Sequence, residues 1–284
     1  MGESVRNIAL ELVRGAFDLH VHAAPCSQAR SLNDEELLAE ADALGMAGVL
    51  VKNHYEPTSG RAAMQNLASR TRTTLYGSIV LNHSVGGINP YAVESAAKLG
   101  AKMVWMPTKD ARNHIAHEGH AGFREREGIT VLKENGELKK CVYDVFDVAK
   151  QYDIALSTGH LTMPETIAVC SEGRKAGVRM VLTHPEFELT PTPVAVQKDL
   201  ADQGVLIEKD WINIAMGMVT GEYMAASIRE VGPDRIYLAT DRGQVSGERP
   251  AEGMLLYIET LLGEGVAPDE IKTMIVETPK KVLG

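Results

Sequence analysis

Eight short apolar, β-branched runs recur along the chain, each followed by a stretch of helical pattern, and this repetition constrains the fold more than any other feature. The runs are AFDLHVH at 16–22, GVLVKNH at 48–54, LYGSIVLNH at 75–83, AKMVWMPT at 101–108, DIALSTGH at 153–160, VRMVLTHP at 178–185, GVLIEKD at 204–210 and RIYLATD at 235–241. Most are apolar on both alternations, as in parallel strands covered by helices, whereas strands with one wet face would alternate. The intervening helices have readable starts at Asn33, Asn89-Pro90 and Pro164-Glu165, where caps and a first-turn proline satisfy free N–H groups. Glycines at 48, 100, 177, 204 and 232 precede the next strand, where a helix stop favours a left-handed residue. Strand starts are 25–31 residues apart, the span of a βα unit, except for one step of 52 between the fourth and fifth. No glycine-rich phosphate loop follows the first run, which disfavours a doubly wound sheet. The expectation is a single α/β domain over 1–284, a (β/α)8 TIM barrel. It carries a short N-terminal helix at 3–15 and a long insertion around 109–140 in the β4–α4 loop, where KENGELKK turns back on itself.

Composition narrows the partners. A chain of 284 residues, 44% hydrophobic and 24% charged, has the make-up of a soluble globular protein. Its 38 acidic against 29 basic residues give a formal charge of −9, a field that repels phosphate backbones and argues against nucleic acid. An anionic substrate would need a local cationic pocket. Cys26, Cys141 and Cys170 are too widely spaced for a disulfide framework or a CxxC metal site. No apolar run is long enough to span a bilayer, and the N-terminal segment, with Glu3 and Glu11, lacks the pattern of a signal peptide. These features predict a cytoplasmic protein with a small-molecule substrate and no membrane or nucleic-acid partner. A homo-oligomer formed through the outer helices is expected.

In a barrel the chemistry gathers where the strands end. Those ends read His20-Val21-His22, Lys52-Asn53-His54, Asn82-His83, Gly159-His160, Thr183-His184, Glu208-Lys209-Asp210 and Asp241-Arg242. Six of the nine histidines lie there, and the other three, His114, His117 and His120, lie in the doubled loop on the same face. His20 and His22, one residue apart on a strand, point the same way and can share one metal ion. An apolar core has no use for His160, His184 and Asp241 converging on that pair, and burying them unpaired is costly. A bound cation removes that cost.

With DLHVH on the first strand, STGH on the fifth, VLTHPE on the sixth and LATD on the eighth, the chain resembles the amidohydrolase superfamily of metal-dependent barrel hydrolases. The resemblance runs from about Phe17 to the closing TPKKVLG. It implies that His20, His22 and Asp241 ligate the more buried metal. It also implies that His160 and His184 bind a second ion or, in one-metal members, that His160 joins the first site and His184 contacts substrate. Binuclear members bridge their metals with a carboxylated lysine or a glutamate at the end of strand four, where this chain reads KMVWMPT. Lys52, of the same parity as His54, is the nearest candidate for a bridging carbamate; as an ammonium it would bind a substrate anion. The implied cofactor is a divalent metal, zinc foremost with manganese or iron as alternatives, at one or two ions per chain.

The resemblance points to a hydrolase that cleaves an amide, lactone or ester bond with metal-activated water. Asp241 would be the general base, and His184 or the metal would polarise the carbonyl. Alternatives are a metal-dependent non-oxidative decarboxylase, a histidinol-phosphatase-like phosphoesterase, and a barrel that only binds metal or a metabolite. His54 and His83 are expected to orient ligands or touch substrate, Glu208 to partner Lys52, and Arg242, Arg112 or Arg124 to clamp an anion. The His114/His117/His120 segment reads as a solvated loop whose length suits a cover over the mouth. The Met-rich stretch at 216–224 reads as helix packing.

Overall fold

In the computed structural model, which describes residues 2–120 and 122–284, the eight runs become eight parallel strands. These are β1 (Phe17–Val21), β2 (Gly48–Val51), β3 (Thr74–Val80), β4 (Ala101–Trp105), β5 (Ala155–Ser157), β6 (Met180–Leu182), β7 (Leu206–Asp210) and β8 (Ile236–Ala239). They pair in chain order. The sheet closes where Asp241 N donates to His20 O at 2.8 Å and His22 N donates to Arg242 O at 2.8 Å. The architecture is the expected (β/α)8 barrel.

The helices are α1 (Gly2–Leu12), α2 (Asp34–Ala43), α3 (Ser59–Ala68), α4 (Pro90–Lys98), α5 (Arg112–Glu118), α6 (Lys140–Gln151), α7 (Met163–Lys175), α8 (Val194–Asp202), α9 (Trp211–Ala215), α10 (Gly221–Val231), α11 (Pro250–Gly263), α12 (Pro268–Lys272) and α13 (Thr278–Leu283). Asn33 with Glu36 and Thr162 with Glu165 form capping boxes that start α2 and α7, satisfying N–H groups the helix itself cannot. The first helix stops at Leu12, and the chain turns into β1 through Gly15 at φ +76°. Among its described residues the insertion after β4 contains α5 and a turn bridged from Leu132 to Leu138. Glu165 at the start of α7 pins it by accepting from Val131 N at 3.0 Å. Among the described residues no helix is long and apolar enough to cross a membrane.

Two apolar layers hold the barrel. Between strands and helices lie residues such as Val49, Val104, Ile207 and Leu238. Inside the strands lie Phe17, Leu19, Leu50, Met103, Trp105 and Tyr237, with Val282 and Leu283 of α13 closing the bottom. The register of β1 on β2 slips between Asp18 and Val21. This bulge lets Leu19 pack in the inner layer while the adjacent His20 ring packs against Trp105 of the same layer, centroids 4.6 Å apart. Bulges commonly re-aim side chains beside active sites.

Candidate metal centre

Three strands build the centre of the mouth. His20 from β1 sends Nδ1 to Glu208 Oε1 of β7 at 3.0 Å, and His22 sends Nδ1 to the Lys52 carbonyl at 2.9 Å. A carboxylate and a carbonyl can only accept, so each contact places the ring proton on Nδ1 and leaves Nε2 with a bare lone pair. Both Nε2 atoms face one oxygen of Asp241, at 3.1 Å from His20 and 3.0 Å from His22. The donor atoms of His20, His22 and Asp241 lie within 4.8 Å of one another, a group able to hold a metal ion. Two lone pairs and a carboxylate oxygen facing one another repel unless a cation lies among them; Lys52 Nζ, 2.9 Å from His20 Nε2, meets one of the three, and a metal ion would meet all of them. Ligands about 2.0–2.1 Å from a tetrahedral ion would stand roughly 3.3 Å apart, close to the spacing found. The residues therefore fit a divalent metal.

Electrostatics favour the same assignment. Burial by itself would raise the Asp241 pKa, but His20 and His22 outweigh it and hold the carboxyl well below its ordinary range. Burial pushes His22 and His184 down to about 3 and takes His54 and His160 well below the usual histidine value. Neutral imidazoles are the form that ligates. His20 differs: burial opposes its charge, yet Asp241 and Glu208 on either side raise its pKa well above normal, so without a metal the two carboxylates favour a proton on this ring. Lys52 Nζ lies 2.9 Å from His20 Nε2 and 4.0 Å from the centroid of the Trp105 ring, and burial lowers its pKa to about 8.

The loops after β5 and β6 add His160 and His184, rings 5.1 Å apart, with His184 5.9 Å from His20. They join the histidine cluster without entering the close set formed by His20, His22 and Asp241. Thr190 donates to the His184 carbonyl at 3.3 Å, so its Oγ1 accepts from His184 Nδ1 at 3.2 Å. That bonding leaves Nε2 of His184 an acceptor, suited to a ligand and unsuited to donating to a substrate carbonyl. Two backbone features mark these ends. His184 and Asp241 both have positive φ, +27° and +49°, as does Asp153 before β5 at +50°; such backbone costs energy and clusters at active sites. Gly243 is obligatory: at φ +125° an added Cβ would lie 1.7 Å from the His22 carbonyl oxygen.

Several expected roles change. His83 is exposed in the short turn after β3, its Nε2 at 2.7 Å from the Glu127 carbonyl. Its neighbour Asn82 points inward instead, donating to Thr108 Oγ1 at 2.8 Å, and Thr108 in turn contacts His54 Nδ1 at 2.8 Å. Arg242 is buried against its own loop, paired with Glu248 at 2.9 Å and donating to the Ser246 carbonyl at 2.8 Å, so it clamps no ligand. Glu208 braces His20 and accepts from Tyr237 OH instead of bonding Lys52. Arg112 and Arg124 are exposed. His114 is not a solvated loop residue: it is fully buried on α5, Nε2 at 2.9 Å from Glu118 and Nδ1 at 2.9 Å from His160 Nδ1. Of the two facing Nδ1 atoms of His114 and His160, one donates and the other accepts. His117 is exposed and contacts the Asn113 carbonyl, while His120 is half-buried. Met216 and Met218 line the mouth, and only Met224 packs in the helix core.

Asp210 is the residue the sequence reading passed over. It is fully buried with Oδ2 3.5 Å from His20 Nδ1, forming with Glu208 and His20 a second close group of donors. Burial, reinforced by the Glu208 charge, raises its pKa well above normal. Its parity with Glu208, the same x-spaced pattern as His20 and His22, was the available signal.

A model of a family of unknown function (DUF6282) matches residues 15–208. No curated protein sequence matches the chain. Solved structures with the same fold include an amidohydrolase from Pseudomonas aeruginosa, 14% identical, covering 98% of each chain with a TM-score of 0.65. The probable dipeptidase PvdM from the same organism is 10% identical over 100% of this chain and 98% of that one, TM-score 0.66. A 2,6-dihydroxybenzoate decarboxylase with bound 2,6-dihydroxybenzoate is 12% identical over 95% and 99%, TM-score 0.57. The resemblance to the amidohydrolase superfamily thus extends over the whole barrel as a likeness of fold.

Proposed function

The chain belongs to the DUF6282 family, a family of unknown function, and for this member we propose metal-dependent hydrolysis of an amide, lactone or ester bond in a small molecule. The observation that carries the reading is the convergence of two Nε2 lone pairs and the Asp241 carboxylate on one point. His20, His22 and Asp241 would hold the ion, with the rings of His160 and His184 in the same cluster. A divalent ion there supplies Lewis acidity and brings the pKa of water to about 7.

The rest of the chemistry belongs to side chains. Asp241 stays ionised and lines the cavity, so it can accept a proton from the attacking water and return it to the leaving group. Lys52 also lines the cavity and is a buried donor able to polarise the substrate carbonyl, a role that the His184 bonding denies to that residue. Glu208 and the Lys52 carbonyl fix the rings of His20 and His22, as partners behind a ligand do in metal sites. The cavity measures about 210 Å³, below the usual range for drug-sized ligands, so the substrate is small.

One observation favours decarboxylation as a second reading. At the end of β4 the buried Trp105 packs on His20 where a bridging carboxylate would be needed, which supports a centre with one ion. The test is to strip the protein with a chelator, reload it with zinc, manganese or iron, and assay amides, lactones, esters and small carboxylic acids. Hydrolysis lost on stripping and regained on reloading supports the proposal. Carbon dioxide release without hydrolysis replaces it with decarboxylation, and activity that survives stripping refutes both.

A further inference from the structure

Arg30 lies in the loop after β1 and lines the same cavity as Lys52, His22 and Asp241. Its backbone bridges Gln244, whose amide donates to the Asp241 carbonyl at 2.8 Å, so the loop is tied to the metal-binding corner. The guanidinium is half-buried, yet its one side-chain contact is a 3.4 Å bond to Gln28 Oε1, and its buried Nε has no partner. Among the described residues every other half-buried or buried arginine bonds a carboxylate or a backbone carbonyl, Arg61 to Asp34 and Arg126 to Asp110 for example. Leaving a half-buried N–H without an acceptor costs free energy. In a chain with nine more negative than positive charges, a spare acidic partner would be easy to supply.

Of the other cations of the cavity, one is paired and one sits at the metal-binding corner. Lys109 pairs with Glu118 at 3.1 Å, and Lys52 contacts His20. Glu188, an exposed carboxylate on the rim, forms no ion pair with Arg30. The apolar part of the lining is Phe187, Ile212, Met216 and Met218. Resting on the hydrolase reading of this site, we infer that the substrate carries a carboxylate and that Arg30 binds it while the scissile group faces Asp241. A planar guanidinium edge matches the two oxygens of a carboxylate. A phosphate dianion would call for more charge than this one guanidinium supplies.

The probes are succinamate, with one carboxylate and one amide, its uncharged counterpart succinamide, and inorganic phosphate. Calorimetric titration of the metal-loaded protein and of its Arg30→Gln and Arg30→Lys variants reads the affinities, and metal content is measured on each. Succinamate should bind the parent protein and bind Arg30→Gln about 10- to 100-fold more weakly, with Arg30→Lys between them and the metal content equal in all three. Succinamide should bind no better to the parent than to Arg30→Gln. Equal succinamate affinity in the parent and Arg30→Gln, no binding to the parent, or phosphate binding as tightly through Arg30 would overturn the inference. Arg30-dependent binding by a protein that takes up no metal would keep the carboxylate contact of Arg30 and remove the hydrolase reading, and with it the scissile group at Asp241.

Discussion

Replacing Lys209 with methionine tests whether the barrel relies on its buried ion pair to hold the His184 loop. Lys209 points out of β7 into the helix layer, where Nζ bonds Glu186, Gln197 Oε1 at 2.9 Å and Ser227 Oγ at 2.7 Å, all without exposure to solvent. Glu186 follows His184 by two residues, so the pair anchors the segment in which His184 adopts its positive φ. After the substitution Glu186 keeps a single donor, Gln197 Nε2 at 3.2 Å, and its Oε2 already lacks one. Removing one partner of a buried pair costs about 3–5 kcal/mol, because the surviving charge is uncompensated. At roughly 2–4 °C per kcal/mol for a larger domain, the melting temperature should fall by about 6–20 °C. Adding Glu186→Gln removes the stranded charge, and the double variant should recover at least about 2 kcal/mol relative to Lys209→Met. Urea and thermal unfolding of the parent, both single variants and the double variant give the cycle. A loss below about 1 kcal/mol, or a double variant no more stable than Lys209→Met, would refute the reasoning.

Asp241→Asn keeps the shape and one ligating oxygen but loses the basic site. It should remain folded, retain most of its metal and lose about two to four orders of magnitude in turnover on any substrate found for the parent; near-normal turnover would remove Asp241 from the chemistry. Lys52→Met should leave metal content unchanged and weaken turnover, with no response to added bicarbonate, whereas bicarbonate-dependent loss of one of two ions would identify a carbamate. Burial pushes the Cys170 thiol up to about 12, so at pH 8 almost none is thiolate and the folded protein should react with a thiol reagent only at the half-buried Cys26 and Cys141. Titration of three thiols without denaturant would contradict that burial.

The barrel and the core of the site were legible because strand ends and side-chain parity are local properties. A run such as DLHVH declares its inner face, and eight such runs in order leave few topologies. What escaped depended on contacts between distant segments. Arg242 resembles a ligand clamp until Glu248, six residues on, is seen folded back on it. His83 follows β3 into a turn that swings it outward while Asn82 takes the inner position. His114 reads as a surface residue because nothing local shows that α5 packs its ring on His160, 46 residues away. Arg30 carries no motif, and its lack of a partner becomes visible only when its neighbours in space are known.

The most direct test is metal content, measured by mass spectrometry on the purified chain dialysed against zinc, beside the His20→Ala/His22→Ala double variant. The two Nε2 atoms and Asp241 converge on one point, so the parent should hold at least one ion per chain and the double variant almost none, with both remaining folded by circular dichroism. A parent that binds no metal, or a folded double variant that binds as much as the parent, would contradict the account.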